Sequence, residues 1–209
     1  MIVESFPVAP LQCNCTIVGD ELSGECIVID PGGDAKRVFE RVTERKLHIR
    51  QILLTHGHID HVLSVAELRR LSGAPVLMHE DDIALLEMMP TQAGWLAMEA
   101  PEVAYPDAPL VNGQIVGIPA LPAQVLHTPG HSKGSVGFYF DAIKLLVAGD
   151  TLFAGSVGRT DLPGGNAAEL IHSIQSQLMV LPDEVRVIAG HGPATSIGEE
   201  KHFNPYLAG

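Results

Sequence analysis

The stretch Thr55-His56-Gly57-His58-Ile59-Asp60-His61 places three histidines and a carboxylate within six consecutive positions. With ten histidines in 209 residues, composition alone predicts about 0.3 histidine in such a window. His56 and His58 flank a glycine after an apolar run, so neither a helix nor a regular strand need constrain the direction of both rings. Neutral imidazoles and carboxylates are ligands for zinc, iron and manganese. The stretch therefore predicts a metal site.

Three residues further along the chain would complete such a site. His131 follows a Pro-Gly turn, Asp150 follows an apolar run and a glycine, and His191 sits between two glycines. Together with the cluster they supply five imidazoles and two carboxylates. A closed structural zinc site needs only four ligands and is typically rich in cysteine. Seven candidate ligands instead suit two metal ions that share one carboxylate and keep positions open for water.

Short apolar runs and helical patterns alternate along the chain without a linker, so we expect a single domain spanning residues 1–209. The apolar runs predict strands at Cys26–Asp30, Ile49–Leu54, Pro75–Met78, Ala123–His127, Ser135–Phe140, Lys144–Ala148 and Val185–Ala189. Helical spacing predicts a helix from Ala35 to Val42 capped by Asp34, and helices at Val62–Leu71, Asp81–Met89 and Asn166–Leu181. Pro90 is expected to end the third of these helices, and Asn166 and Glu169 are placed like a capping box at the start of the last. The stretch Thr91–Ala120 has four prolines and little periodicity, so we expect it to be rich in loops.

Five apolar strands end in polar turns that carry or adjoin the candidate ligands. These turns are Asp30-Pro31-Gly32, Thr55-His56-Gly57-His58, Thr128-Pro129-Gly130-His131, Gly149-Asp150 and Gly190-His191-Gly192. Ligands in α/β architectures gather beyond the carboxyl ends of strands, which allows all five turns to face one cleft.

The ligand string and its intervals resemble those of the metallo-β-lactamase fold superfamily over nearly the whole chain, from Asp30 to His191. The resemblance implies an α/β (α+β) fold, a four-layer αββα sandwich of two mixed sheets flanked by helices, with the metals at the edge between the sheets. It implies that one metal is held by His56, His58 and His131. It also implies that the other metal is held by Asp60, His61 and His191, with Asp150 as the bridge.

Gly149–Phe153 and Gly158–Asp161 are similar to the glyoxalase II branch, especially its short bacterial members. Longer members carry a C-terminal helical region that helps to bind glutathione, and only 18 residues follow His191, so we expect no counterpart of those contacts. Arg159 stands where the longer enzymes have a basic residue for the glutathione moiety. Asp161 stands where they have a tyrosine, which leaves the thiol carrier open.

Two divalent cations about 3.5–4 Å apart can lower the pKa of a shared water toward 7 and polarise a carbonyl oxygen. A thioester needs little more, because its thiolate leaves without strong acid assistance, whereas an amide or lactam nitrogen must be protonated. This chemistry predicts metal-assisted thioester hydrolysis. The resemblance implies the hydroxyacylglutathione hydrolase type, in which a metal-bridging hydroxide attacks S-lactoylglutathione or a similar acyl-thiol. Asp60 and Asp150 would place the hydroxide, and Arg159 and Lys133 would anchor substrate carboxylates. Zinc is the expected metal, with iron and manganese as alternatives.

Two other functions stay open. An iron-dependent persulfide dioxygenase acting on glutathione persulfide resembles the chain in the Gly-Arg-Thr-Asp stretch and would use His56, His131 and Asp150. The retention of all seven ligands favours the two-metal hydrolase over it. A non-catalytic metal-binding scaffold would take up metal without turnover.

Composition and charge indicate the cellular compartment of the protein and the classes of partner that it does not bind. Thirteen basic against 25 acidic residues give a formal charge of −12, which disfavours nucleic acid as a partner. No apolar run reaches the roughly 18 residues of a membrane span, and the acidic opening Met1–Glu4 lacks the basic start of a signal peptide. Three cysteines make no disulfide framework, so we expect a cytoplasmic protein without a membrane partner. Cys13 and Cys15 are expected to pack in the core or at an edge, and Trp95 to anchor a loop.

Overall fold

The computed structural model describes residues 1–207, in which the strands form two six-stranded sheets and a two-stranded ribbon. The first sheet has the order β1-β2-β3-β4-β5-β6, with β1 Ile2–Val8, β2 Cys13–Asp20, β3 Glu25–Ile29, β4 His48–Leu53, β5 Val76–His79 and β6 Ala108–Leu110. The second has the order β14-β13-β10-β9-β8-β7, with β7 Ile115–Ile118, β8 Leu121–His127, β9 Val136–Phe140, β10 Leu145–Gly149, β13 Arg186–Ala189 and β14 Thr195–Ser196. The ribbon pairs β11 Leu152–Phe153 with β12 Ser156–Val157.

Both sheets are mixed. In the first, β1, β2 and β3 pair antiparallel and β3 to β6 pair parallel. In the second, β7 to β10 pair antiparallel, β10 pairs parallel with β13, and β13 pairs antiparallel with β14. The helices are α1 Ala35–Glu44, α2 Ile59–Val62, α3 Val65–Ser72, α4 Ile83–Glu87, α5 Met89–Trp95, α6 Ala167–Ser173, continued by a π-helical turn Ile174–Leu178, and α7 Ile197–Phe203.

Side-chain alternation along the strands builds the layers. On β3, Ile27 and Ile29 point into the core between the two sheets, while Cys26 and Val28 point to the opposite face, where α1 and α3 pack. Phe138 fills the inner core from the second sheet. The outer face of that sheet is covered by α6, the π-helical turn and α7. The predicted four-layer αββα sandwich is therefore confirmed.

The helix predicted at Val62–Leu71 is two helices, α2 and α3, with an interruption at Ser64. The Ser64 backbone N–H and hydroxyl both donate to the Pro31 carbonyl, at 3.2 and 2.9 Å. Because that N–H is used outside the helix, the helical hydrogen-bond ladder stops and restarts at Val65. Nothing in the periodicity of the sequence indicates this contact with a distant turn.

The predicted helix Asp81–Met89 and the loop-rich stretch after it also differ from the structure. A 3₁₀ turn at Glu80–Asp82 precedes α4, and α5 then runs through Pro90. Pro90 lies in the first turn of α5, where a missing N–H leaves no hydrogen bond unmade, so it does not end the helix as predicted. The stretch Thr91–Ala120 contains most of α5 together with β6 and β7.

The two predicted helix caps have different outcomes. The Asn166 side chain accepts hydrogen bonds from the backbone N–H groups of Ala168 and Glu169, at 3.1 and 3.2 Å, which confirms it as the cap of α6. Asp34 precedes α1 but its carboxylate accepts from the Ala9 backbone N–H at 2.9 Å instead of capping the helix. Within residues 1–207, no helix combines the length and the apolar character needed to cross a membrane.

Candidate metal centre

The turns that follow β3, β4, β8, β10 and β13 meet at one edge of the sandwich, with contributions from both sheets. Two groups of side chains converge there, and within each group one nitrogen or oxygen of every residue lies within 4.8 Å of the others. The first group is His56, His58 and His131, and the second is Asp60, His61, Asp150 and His191. The structure thus brings together all seven residues that the sequence singled out.

The first group directs three imidazole nitrogens at one point. His131 Nε2 lies 2.9 Å from His58 Nδ1 and 3.2 Å from His56 Nε2. His131 Nδ1 donates to the Arg159 carbonyl at 2.8 Å. His56 Nδ1 donates to the Thr55 hydroxyl at 3.0 Å, because that hydroxyl gives its own proton to a carboxylate. Both Nε2 atoms therefore carry lone pairs, which face each other without a proton between them.

The second group also brings nitrogen lone pairs and carboxylate oxygens close together. His61 Nδ1 donates to Asp30 Oδ2 at 2.9 Å, which leaves the lone pair on Nε2, 3.6 Å from Asp60 and 3.4 Å from Asp150. His191 Nε2 lies 2.9 Å from Asp60 Oδ2. Nitrogen lone pairs and carboxylate oxygens at these separations repel one another unless a proton or a metal ion lies between them.

Asp150 stands between the two groups. Its Oδ1 is 3.4 Å from His61 Nε2, and its Oδ2 is 3.7 Å from His131 Nε2 and 3.9 Å from His191 Nε2. Gly190 makes room for it, because a Cβ at this position would lie 2.1 Å from Asp150 Oδ1. The geometry is that of a carboxylate able to touch ions in both groups.

The side chains fit divalent cations. Within residues 1–207, three buried side-chain atoms have no hydrogen-bond partner, and all three belong to these groups: His58 Nε2, His61 Nε2 and Asp150 Oδ1. A buried polar atom left unsatisfied costs about 1–3 kcal/mol. Mixed imidazole and carboxylate donors suit zinc, iron and manganese, so divalent metals would satisfy His61 Nε2 and Asp150 Oδ1. His58 faces the first group through Nδ1, so its Nε2 is not the atom that would bind an ion there.

The protonation states favour metal binding. Burial, together with the neighbouring imidazoles, holds the pKa of His56 well below its usual value and lowers the pKa of His58 to about 4. Burial works against ionisation of Asp60 and Asp150, but the imidazoles, His61 foremost, lower the pKa of both carboxyls. Burial opposes a raised pKa at His61 as well, yet the surrounding carboxylates of Asp60, Asp150 and Asp30 raise it. The negative electrostatic potential of these carboxylates, which favours a proton on His61, also attracts a metal ion.

Asp30 holds both ends of the stretch from Thr55 to His61 in place through hydrogen bonds. Its carboxylate accepts from the Thr55 backbone N–H at 2.8 Å, from the Thr55 hydroxyl at 2.7 Å and from His61 Nδ1. Cys13 Sγ lies 3.4 Å from the same His61 nitrogen, and burial raises the pKa of that thiol to about 12. Cys13 and Cys15 are buried in the core, as expected from the sequence.

Two buried polar residues that sequence reasoning missed hold the ligand loops together. Asp82 accepts from the Gly57 N–H at 2.9 Å, from the Ser132 hydroxyl at 2.7 Å and from the Gly134 N–H at 2.6 Å. Gln92 accepts from the Ile59 N–H at 2.9 Å. Neither residue belongs to a recognisable motif, so no local signal could have identified it.

A cavity of about 440 Å³ opens over the two groups. Its polar lining comes from His58, Asp60, His131, Asp150, Gln92 and Arg159, and its apolar lining from Leu11, Ile59, Trp95, Leu96 and Leu162. Trp95 ends α5 and is 55% exposed, so the expectation that it anchors a loop is wrong. It forms part of the cavity wall.

The two predicted anion anchors are placed differently. Arg159 lines the cavity, and its guanidinium forms a two-bond pair with Asp161, Nε and one terminal nitrogen each donating at 2.7 Å. Lys133 instead borders a separate, smaller cavity next to Met88 and Gly164. The structure does not bring Lys133 to the metal-facing cavity.

An αββα sandwich with two adjacent groups of imidazoles and carboxylates at the edge of its sheets defines a class of metallo-hydrolases. The chain belongs to the metallo-beta-lactamase superfamily, whose family model matches residues 8–191.

Three similar proteins extend this result. Hydroxyacylglutathione hydrolase GloC of Haemophilus influenzae is 39% identical over 209 residues, covering 99% of this chain and 98% of that protein. The solved structure of the BLEG-1 B3 metallo-beta-lactamase superposes with a TM-score of 0.93 at 34% identity, covering 100% of both chains. The structure of TTHA1623 in a di-iron-bound form superposes with a TM-score of 0.90 at 38% identity, covering 98% of this chain and 100% of that one.

Proposed function

We propose that this chain is a metal-dependent thioester hydrolase of the hydroxyacylglutathione hydrolase type, acting on S-lactoylglutathione or a similar acyl-thiol. The observation that carries the proposal is the convergence of seven residues with nitrogen and oxygen donors, four of which, His58, Asp60, His131 and Asp150, line a cavity of about 440 Å³. The 39% identical relative named as a hydroxyacylglutathione hydrolase supports the choice of a thioester.

Two divalent metal ions would occupy the centre, with zinc as the proposed metal and iron or manganese as the alternatives. His56, His58 and His131 would hold one ion, Asp60, His61 and His191 the other, and Asp150 would touch both. When bound, such ions lower the pKa of a coordinated water toward neutrality and polarise a carbonyl oxygen.

The chain's own residues then position the reactants. Asp60 and Asp150, both held deprotonated, accept hydrogen bonds from the attacking water and direct its oxygen toward the thioester carbonyl. The thiolate leaves as an anion and needs no acid from the protein. The apolar wall that includes Trp95 and Leu162 excludes bulk water from the reacting groups.

We extend the proposal to the setting of the reaction. The enzyme would work in the cytoplasm as a single domain over residues 1–209, on a small-molecule substrate. The formal charge of −12 disfavours nucleic acid and an acidic membrane as partners.

The test combines metal analysis with kinetics on one zinc-loaded preparation. Asp60→Ala and His131→Ala should each lower kcat/KM for S-lactoylglutathione by at least about 100-fold, the scale of one lost transition-state contact. Both variants should keep the circular dichroism spectrum of the wild type. Asp183→Asn, which removes an exposed carboxylate paired with Lys201, is the control and should change nothing. A fully metal-loaded wild type that cleaves no acyl-thioester would overturn the proposal.

A persulfide dioxygenase is the second candidate, because its three iron ligands would also be in place. His131 Nε2 lies 3.2 Å from His56 Nε2 and 3.7 Å from Asp150 Oδ2. An iron-loaded preparation that consumes oxygen with glutathione persulfide, and cleaves no thioester, would favour this reading. Metal uptake with neither activity would favour the non-catalytic scaffold.

A further inference from the structure

The wall of the metal-facing cavity is mainly apolar. Leu11, Ile59 and Leu162 line it together with Trp95 and Leu96. Trp95 is 55% exposed and Leu96 is 44% exposed, although both are large apolar side chains. Burying such surface under a ligand is favourable, because apolar area is removed from water. The wall therefore suits a ligand with an apolar arm.

The cavity offers little to an anionic ligand. Among the described residues that line it, Arg159 is the one lysine or arginine. Its guanidinium is already paired with Asp161 through two hydrogen bonds of 2.7 Å each. Such a two-bond pair matches the side-on geometry by which arginine binds a carboxylate, so Asp161 occupies the Nε–Nη2 edge of the guanidinium and balances its charge. The outer Nη1–Nη2 edge keeps its N–H donors for a ligand.

We infer, resting on the proposed thioester hydrolysis, that the enzyme prefers acyl-thiols whose carrier arm is uncharged and apolar. Asp161 sets this preference by neutralising Arg159. A carboxylate on the carrier must displace Asp161, or approach the outer edge of a guanidinium whose charge Asp161 already balances. An uncharged arm packs on Trp95 and Leu96 without disturbing the ion pair.

The size of the effect follows from the exposure of the pair. Arg159 and Asp161 side chains are 61% and 67% exposed, so the pair is screened by solvent. Exposed pairs contribute at most about 1 kcal/mol, which corresponds to a change of about threefold to fivefold in KM. The chemical step is unaffected, because neither side chain belongs to the two groups of metal-ligand candidates.

The experiment compares S-lactoylglutathione with its diethyl ester, in which both carrier carboxylates are blocked by ethyl groups and the carrier ammonium group is unchanged. The wild type should have a KM about threefold to fivefold lower for the diester than for the diacid, with equal kcat. Asp161→Asn should lower KM for the diacid by a similar factor and leave the diester unchanged. The double variant Asp161→Asn with Arg159→Gln should return the diacid to the wild-type KM.

Two further variants separate the charge effect from the apolar wall. Asp183→Asn removes another exposed, ion-paired carboxylate and should alter neither KM, which excludes an effect of net charge. Trp95→Ala should raise KM for the S-lactoyl thioester of benzyl mercaptan about fivefold, the scale of an aromatic contact. Phe203 is 81% exposed and lies outside the cavity lining. Phe203→Ala should therefore leave the KM for the same benzyl mercaptan thioester unchanged.

The outcomes distinguish this inference from the proposed function. Equal KM values for diacid and diester in the wild type, or no response of the diacid to Asp161→Asn, would refute the inference while thioester hydrolysis stands. Failure of the metal-loaded wild type to cleave any of the three substrates would refute the proposed function itself.

Discussion

Asp82 shows how one buried carboxylate can organise a site that it does not enter. It lies behind the first group of ligand candidates and receives three hydrogen bonds, from Gly57, Ser132 and Gly134. Gly57 separates His56 from His58, and Ser132 follows His131 directly. Asp82 therefore ties together the two loops whose imidazoles must converge, and it does so from a fully buried position.

Replacing Asp82 by Asn should separate these loops. The amide keeps the shape but presents N–H groups to donors, so at least one buried N–H loses its acceptor. We expect the free energy of unfolding to fall by about 1–3 kcal/mol. We expect the affinity for zinc to fall about tenfold, as for other residues that orient ligands.

Urea unfolding and competition with a chromophoric chelator would measure the two effects of Asp82→Asn. Asp141→Asn is the matched control, because Asp141 is an exposed carboxylate paired with Lys144. Wild-type zinc affinity in Asp82→Asn would show that the two loops hold their positions without the carboxylate.

At the scale of elements, α6 supports the loop that carries His131. The Asn166 N–H donates to the Gly130 carbonyl at 2.7 Å, and the Ser173 hydroxyl donates to the Pro129 carbonyl at 2.8 Å. Gly130 adopts a φ of +131° and lies so close to α6 that a Cβ there would be 2.3 Å from the Leu170 nitrogen. The start of this helix thus fixes the turn before the ligand.

Asn166→Ala should weaken α6 and leave the backbone hydrogen bond to Gly130 in place. Loss of the cap leaves the N–H groups of Ala168 and Glu169 without their acceptor and should lower the free energy of unfolding by about 0.5–2 kcal/mol. Asn166→Asp keeps an acceptor at the same position and should retain most of the stability. Thermal unfolding of the three proteins side by side would test this, and an alanine variant as stable as the wild type would contradict it.

At the scale of the whole molecule, the metal centre spans the two sheets. His56, His58, Asp60 and His61 follow β4 of the first sheet, whereas His131, Asp150 and His191 follow strands of the second. The sheets also meet at Asn14 on β2, whose N–H donates to the Gly190 carbonyl at 2.7 Å. Metal ions held from both sides would act as a cross-link between the layers.

Metal removal should therefore destabilise the entire sandwich. A ligand present at 100 times its Kd stabilises the folded state by about 2.7 kcal/mol. For a chain of this size that corresponds to a loss of about 5–10 °C in Tm after chelation. Calorimetry before chelation, after chelation and after zinc is restored would measure it. In His131→Ala the decrease in Tm after chelation should be smaller than in the wild type. A wild-type Tm that does not change after chelation would refute the cross-link.

The sequence by itself determined the alternation of strands and helices and the seven residues that converge at the sheet edge, and its resemblance to a known superfamily implied the αββα sandwich. The alternation and the ligand residues can both be recognised from local sequence. Mainly apolar runs of four to six residues repeat along the chain, and His56, His58, Asp60 and His61 stand in one short string. Imidazoles and carboxylates at strand ends can be recognised by residue type alone. The cap of α6 was predicted for the same reason, since Asn166 and its partners lie within three positions.

Only the tertiary structure decided which other residues serve the site. Asp82 lies 25 residues from Gly57 and 52 from Gly134, yet its carboxylate binds both. The break in helix at Ser64 depends on a carbonyl 33 residues earlier, and Lys133, two positions after His131, faces a different cavity. Such contacts have no local periodicity and arise only when the two sheets pack, because packing fixes which loops touch and which way their side chains point.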